Sequence, residues 1–199
     1  MNKSFSLSRK LEEVLPGSIK SDEEIYAIHA DFRNILLILR LLEDPDVADC
    51  DKLVLACHRF YTEAMPPNAF EAMMQWIVPE KQKRDPCAPP MDFEFDADVI
   101  YASFRAKYGM DLLHIDFLHW REFYTLLSGL DGDTALGARL AARGRDTSKL
   151  KGKEKQSAEI AKQNAQIPAK LGEDEMQLRK ALIDALMNGG DVSGVGMQG

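Results

Sequence analysis

The residue types that most often do chemistry in proteins cluster at one place in this sequence. Asp111, His114, Asp116 and His119 fall within nine positions, a set that could bind a metal ion or act as a general acid and base. The two histidines are five residues apart, which on one helix turns their rings in different directions, whereas zinc-binding helices place them four apart. The set also straddles a predicted turn. We therefore expect capping and polar packing here, with no metal and no catalytic role.

A second candidate set combines two cysteines with a histidine, at Cys50, Cys57 and His58. Thiolate and imidazole groups are good zinc ligands, but the C-x-x-C pair of zinc sites is missing. Cys57 falls on the apolar stripe of a predicted helix, where a free cysteine packs as a small hydrophobic residue. The sequence has no glycine-rich phosphate loop, nucleophile elbow or H-E-x-x-H motif. It predicts a protein that is not an enzyme and that needs no cofactor or metal.

The basic run between Arg139 and Lys155 could contact nucleic acid. It contains no aromatic residues for base stacking, and it includes Asp146 and Glu154. The favoured interpretation is therefore a solvated helix face. Its members are Arg139, Arg143, Arg145, Lys149, Lys151, Lys153 and Lys155.

The overall composition limits the class of protein. A hydrophobic content of 45% with nine phenylalanines is enough for a buried core. The formal net charge of −7 disfavours binding to nucleic acid and to anionic membranes, because both need a positive surface. No apolar run has the length of a membrane span, and no signal-peptide core is visible. With three cysteines in no framework spacing, we expect a soluble, acidic protein of a reducing cytoplasm.

The elements that must position these residues are organised around the aromatic-rich stretch from Met91 to Leu130. The stretch holds five of the nine phenylalanines and three of the five tyrosines, and we expect it to form the core as two helices joined by a turn. Aspartates at the start of the first helix suit its N-terminus, and Gly109 suits a left-handed cap at its end. Asp116 is the predicted cap of the second helix, which Gly129 ends. The aspartates are Asp92, Asp96 and Asp98, and the apolar residues are Val99, Ile100, Phe104 and Tyr108, then Phe117, Leu118, Trp120, Phe123, Tyr124 and Leu127.

The N-terminal part of the chain predicts a lead-in over residues 1–15 and then a β-hairpin. The strands are Ser18–Lys20 and Ile25–Ile28, around a polar turn without Asn-Gly or Asp-Gly. Asp31 is expected to cap a helix that is apolar almost all round and therefore buried on several sides.

Two further helices are predicted before an exposed linker at residues 79–90. The first spans about residues 51–64, and the second follows Pro66-Pro67 with Asn68 as its cap. The apolar stripes are Leu53, Val54, Cys57, Phe60 and Tyr61 on the first, and Phe70, Met73, Met74, Trp76 and Ile77 on the second.

Beyond Gly129 the sequence predicts three more helices. A small-residue helix starts at Asp133 or Thr134 and ends near Gly144, and a polar helix from Asp146 has only Leu150 and Ile160 as apolar anchors. An amphipathic helix at residues 168–190 either folds back on the core or docks on a partner, and both alternatives stay open. Residues 191–199 are expected to be disordered. The candidate partner-binding residues of the last helix are Met176, Leu182, Ile183, Leu186 and Met187. The predicted fold class is mainly α: a compact helical domain at residues 16–160, a small N-terminal β-hairpin and an extra C-terminal helix.

Several short motifs follow one another along the chain. They are Asp31-Phe32-Arg33, Asp92-Phe93-Glu94, the run from Asp96 to Ala102, the run from Tyr108 to Leu112, Leu118-His119-Trp120, Phe123 and the run from Asp146 to Lys151. Their types and order resemble the bacteriophage gene-product-fifteen family, which is found in the tail-gene region of long-tailed phages and prophages. The similarity covers about residues 5–160. It departs at Arg121, a position often aromatic in the family, and after Ile167, where the chain extends further.

The resemblance implies a role in phage tail morphogenesis. The leading hypothesis is a tail-assembly chaperone that binds the tape-measure protein in the host cytoplasm. The alternative is a minor structural protein of the tail or tail tip, which would stay in the virion. Other tail proteins and a second copy of the chain are further candidate partners. Methionines on the predicted helices, such as Met73 and Met74, suit reversible binding to varied apolar helices.

Overall fold

The computed structural model describes residues 15–21, 23–78 and 90–168. Most of the predicted lead-in and linker, and the predicted C-terminal helix and tail beyond residue 168, lie outside these ranges, as does residue 22. Contacts divide the chain into two units, Met1–Ala165 and Gln166–Gly199, and the second contributes only residues 166–168 to the described part. Every element named below belongs to the first unit.

The predicted N-terminal β-hairpin is confirmed. Strands β1 (Ser18–Ser21) and β2 (Glu24–Ala27) pair antiparallel, with Ile19 opposite Tyr26. The turn contains Glu23 in the left-handed conformation, at φ 70°. An ordinary residue adopts this conformation uncommonly, and here it forms the turn without the glycine that a typical hairpin signal contains.

Seven helices follow within the described residues, so the predicted mainly helical class is confirmed. They are α1 (Phe32–Glu43), α2 (Asp49–Phe60), α3 (Ala69–Ile77), α4 (Ala97–Tyr108), α5 (Trp120–Ser128), α6 (Ala135–Gly144) and α7 (Gly152–Ala165).

The predicted aromatic core is also confirmed. The Phe123 ring of α5 lies between two other fully or nearly buried rings, stacked at 4.6 Å on Phe32 of α1 and at 5.3 Å on Phe104 of α4. Such stacked pairs add about 0.5–1.5 kcal/mol beyond the burial of their area. This three-ring stack joins the N-terminal and central helices around one core.

One boundary in the central stretch differs from expectation and one is confirmed. Gly109 takes the predicted left-handed cap of α4, at φ 67°. The second helix, α5, begins at Trp120 instead of Phe117, and its cap is His119 instead of Asp116. Phe117 therefore lies in the preceding loop and is 57% exposed. The reason is tertiary, because His119 is extended and pairs with Asp31.

Helix α1 is less buried than its composition suggested. Asp31 caps it as predicted, accepting a hydrogen bond from the Arg33 N–H. Phe32, Ile35 and Ile38 are buried, but Leu37 faces solvent on the opposite side.

Helix α2 corrects the predicted stripe. It ends at Phe60, four residues early, because Tyr61 is extended and pairs with Ile28. Cys57 and Phe60 are buried as predicted, whereas the predicted core residues Leu53 and Val54 are exposed.

The predicted caps of α3 and α6 have different outcomes. Asn68 precedes α3 but makes no capping hydrogen bond, and its side chain accepts one from the Ser21 hydroxyl instead. Thr134 caps α6, where its hydroxyl accepts from the Gly137 N–H.

Helix α7 packs through Ala158 and Ala165, while the predicted anchor Ile160 is exposed. The two alanines lie at the contact because small side chains let α7 approach its neighbour closely.

Candidate interaction surface

The first candidate set from the sequence divides into two structural groups. Asp111 holds the loop after α4: its carboxylate accepts from the Leu113 N–H at 3.2 Å and contacts Arg105 and His114, each at 3.1 Å. The hydrogen bond from His114 holds the pKa of Asp111 below its ordinary value. Asp116 is exposed, and its carbonyl oxygen is what the fold uses, as an acceptor from Arg33.

His119 belongs to the second group and is buried. Its Nδ1 accepts the Arg121 N–H at 3.1 Å, so Nε2 carries the proton and donates to the Pro16 carbonyl at 3.3 Å. Burial lowers the pKa of His119, which favours the neutral ring that this arrangement needs. His119 is thus a helix cap that packs against Trp76. Within the described ranges, no group of three or more His, Cys, Asp or Glu side chains is placed to hold a metal ion.

The second candidate set, Cys50, Cys57 and His58, is also not among the described residues that could hold a metal ion together. Cys57 is buried, and burial raises the pKa of its thiol, which makes it poorly nucleophilic. Cys50 is exposed at the start of α2, beside the Asp51 carboxylate.

The Asp31-Phe32-Arg33 motif has a structural task that the sequence did not reveal beyond the cap. Asp31 accepts from the Leu118 N–H at 3.2 Å, and Arg33 donates to the carbonyl oxygens of Ile115 and Asp116 at 3.0 and 2.9 Å. The surrounding backbone pairs on both sides: residues 27–29 with 60–62, and residues 30–32 with 118–120. The Asp31-Phe32-Arg33 motif and the Leu118-His119-Trp120 motif, far apart in sequence, therefore join α1 to α5. We call this set of contacts the clamp.

Part of the basic run also has a structural role, which corrects its interpretation as a solvated face. Arg143 is buried and donates to both oxygens of Asp96, at 2.7 and 3.0 Å, and to the carbonyls of Ala165 and Pro90. Burial would raise the pKa of Asp96, but the hydrogen bonds from Arg143 outweigh it and the pKa is lowered. Arg139 pairs with Asp98 at 2.7 Å. The two pairs fix α6 against the start of α4.

An exposed apolar run on α2 takes no part in the contacts described above. Leu53, Val54 and Leu55 are 43%, 56% and 48% exposed. Leu53 lies on the same face as Cys57 and Phe60, at spacings of four and seven residues, and those two are buried. Burial on this face of α2 therefore stops between Leu53 and Cys57. The first turns of α2 extend beyond the elements that pack on this face. We call Leu53, Val54 and Leu55 the α2 apolar run.

An open groove of about 520 Å³ lies beside the other end of α2. It is lined by the extended segment at residues 28–31, by polar side chains and by the exposed ring of Phe117. Asn34, one of the lining residues, donates to the carbonyls of His29 and Arg59, at 3.2 and 3.1 Å. The lining residues are Ile28, His29, Ala30, Asp31, Asn34, His58, Arg59 and Phe117.

The sequence missed both features for the same reason. Hydrophobic periodicity assigned Leu53 and Val54 to the core and placed Phe117 on a helix. A run of three consecutive apolar residues was the available signal, because three neighbours on a helix cannot all face one core. The predicted partner-binding residues of the C-terminal helix, from Met176 to Met187, lie outside the described residues and stay a prediction.

Comparison with known proteins agrees with the resemblance seen in the motifs. The model of the family described as Bacteriophage Gp15 protein matches residues 11–167. No curated protein and no solved structure matches at a significant level. In the part of the chain that the structure describes, no helix is both long and apolar enough to cross a membrane. Since the family match spans most of the chain and includes both clamp motifs, the chain belongs to the bacteriophage Gp15 family and is a phage-related protein.

Proposed function

We propose that this protein acts in phage tail morphogenesis as a non-enzymatic chaperone of the tape-measure protein, in the host cytoplasm. The observation that carries the proposal is the α2 apolar run. Consecutive exposed apolar residues on an ordered helix are unfavourable in water unless they serve an interaction. Family membership supplies the phage context in which such a surface has a partner.

The polar residues support a binding role over a catalytic one. Asp31, Asp96, Asp111 and His119 each have a structural partner, so these four groups already hold loops and helix ends. A chaperone of apolar helices needs an ordered surface to present. The end of α2 is fixed by the pairing of residues 27–29 with 60–62 and by the bond from Asn34 to the Arg59 carbonyl.

The first test is co-expression with the tape-measure protein of the same phage. We expect the tape measure to be insoluble alone and soluble in a complex with the wild-type chain. Val54→Glu should weaken the complex about tenfold, because the charge disrupts an apolar contact worth on the order of 1–3 kcal/mol. Unchanged solubility of the tape measure in the presence of the wild-type chain would refute the proposal.

A matched control separates loss of the surface from loss of the fold. Ile160 on α7 is 52% exposed, close to the 56% of Val54, so Ile160→Glu adds the same charge at a similar exposure on another helix. We expect Ile160→Glu to leave the complex intact. Mass spectrometry of purified virions gives a second test, because a chaperone leaves before the tail is complete. Stoichiometric presence in the virion would favour a minor structural protein of the tail.

A further inference from the structure

Helix α2 carries opposite charges at its two ends, with the α2 apolar run between them. The N-terminal end, with the turn that leads to it from α1, contains four aspartates. Lys52 pairs with one of them, Asp49, at 3.0 Å, so the other three set the negative charge of this end. The Asp49 side chain is almost fully exposed. The acidic residues of this end are Asp44, Asp46, Asp49 and Asp51.

The C-terminal end of α2 has the other sign. His58 and Arg59 are exposed there and line the groove. The nearby carboxylate of Asp31 is already engaged by the Arg33 guanidinium at 2.9 Å, which leaves Arg59 to set the charge of this rim. The groove therefore favours an anionic group beside the exposed ring of Phe117.

The apolar part between these ends is wider than α2 alone. Helices α1 and α2 are joined by a short turn and run antiparallel, and Asn34 bonds the carbonyl of Arg59. One turn further along α1 is Leu37, which this register places level with Leu55, one turn back along α2. Leu37 is 44% exposed, so it adds to the apolar strip.

We propose that this surface binds one amphipathic helix of another phage protein, with lysine or arginine at one end of its apolar stripe and aspartate or glutamate at the other. The basic end would lie against the exposed Asp46 and Asp51, and the acidic end would lie in the groove at Arg59. Charges at the rim of an interface select partners and orient them, while the apolar centre supplies most of the affinity. This inference rests on the proposed function, because it names the chemistry of the partner at the same surface.

The test uses the full-length chain and three synthetic helical peptides with one apolar stripe. The first has a basic and an acidic end, the second has two basic ends and the third has two acidic ends. Fluorescence anisotropy at low salt should show the mixed peptide binding about fivefold more tightly than the others, and the preference should fade at high salt. Arg59→Glu should transfer the preference to the peptide with two basic ends.

Two controls make the result specific. Lys153→Glu makes the same charge change on α7, and we expect it to leave the order of the three peptides unchanged. Circular dichroism of each variant checks the fold. Equal binding of the three peptides, or an order that Arg59→Glu does not alter, overturns the inference. Salt-sensitive self-association that Asp49→Lys abolishes also overturns it, because the occupant is then a second copy of this chain.

The outcomes separate this inference from the proposed function. If the peptides bind without charge preference while the wild-type chain still solubilises the tape measure, the inference fails and the chaperone function stands. If the peptides show the expected order while no tape-measure complex forms, the surface has the inferred chemistry and another phage protein is its partner.

Discussion

The buried ion pair between Asp96 and Arg143 predicts a large loss of stability when the arginine is removed. The Arg143 and Asp96 side chains are 5% and 0% exposed, and Arg143 donates to both carboxylate oxygens. Arg143→Met removes the guanidinium that bonds both carboxylate oxygens and leaves only Arg139, at 3.6 Å, near the buried charge. Breaking comparable buried pairs costs about 3–5 kcal/mol. Since single domains are stable by only about 5–15 kcal/mol, this loss is at least about a fifth of a typical total.

The assay is urea unfolding of the full-length chain at neutral pH, followed by the fluorescence of Trp76 and Trp120, both of which are buried. Arg145→Met is the matched control. Arg145 pairs with Glu154 at 3.5 Å, and both side chains are about half exposed or more. Removing an exposed pair should cost less than about 1 kcal/mol.

The pH dependence provides an independent check of the cause. In the wild type the pKa of Asp96 is lowered in the folded state, so its contribution is present above the unfolded pKa and is lost as pH falls through the folded pKa. In Arg143→Met burial remains while the guanidinium that bonds both oxygens is gone, and only Arg139 at 3.6 Å stays near. The pKa of Asp96 should therefore rise above its wild-type value, and protonation at acidic pH should relieve much of the destabilisation. The difference in stability between the two proteins should therefore shrink as the pH is lowered from about 7 to about 4.

Two results would refute this reasoning. One is a loss for Arg143→Met no larger than that for Arg145→Met. The other is a loss that stays constant across the acidic range, because it would then come from packing and the bonds to Ala165 and Pro90 instead of the orphaned charge. A double variant with Asp96→Asn should be less destabilised than the sum of the two single variants.

Three further predictions concern backbone, thiol and core. Gly109→Ala should lose about 1 kcal/mol in urea unfolding, because φ is 67° there, whereas Gly132→Ala, which has open space and no positive φ, should change little. Cys50 should react with a thiol reagent much faster than Cys57, as read by mass spectrometry of the digested protein, since only Cys50 is exposed; equal rates would contradict the burial of Cys57. Phe123→Ala should cost about 3–5 kcal/mol because the side chain is fully buried, and a midpoint close to that of the wild type would contradict its central position in the ring stack.

Features that depend on neighbours in sequence were predictable. The hairpin, the Asp31 cap and the left-handed Gly109 each follow from a few adjacent residue types, and each is present. The aromatic core was predictable as well, because so many large rings in one stretch must be buried together. These parts of the fold need no knowledge of distant contacts.

Features that depend on distant partners were not predictable. Asp96 looked like a helix cap and Arg143 like a solvated cation, because nothing local indicates that they meet across 47 positions. The exposure of Leu53 is the reverse case. Its spacing to Cys57 and Phe60 is that of a core residue, but burial also needs another element above it, and none of the described elements extends that far.

The clamp between Asp31-Phe32-Arg33 and residues 115–120 also sets the order in which the chain can fold. It joins groups 82 to 87 positions apart, and Phe32 reaches its stacked partner Phe123 later still along the chain. During synthesis the N-terminal helices must therefore wait, with apolar faces uncovered, until the start of α5 has left the ribosome. A fragment that stops before Ile115 would lack the acceptors and donors that fix α1, so it should remain unfolded and be a substrate for host chaperones. A protein proposed to cover the apolar helices of others would thus itself need protection while it is being made.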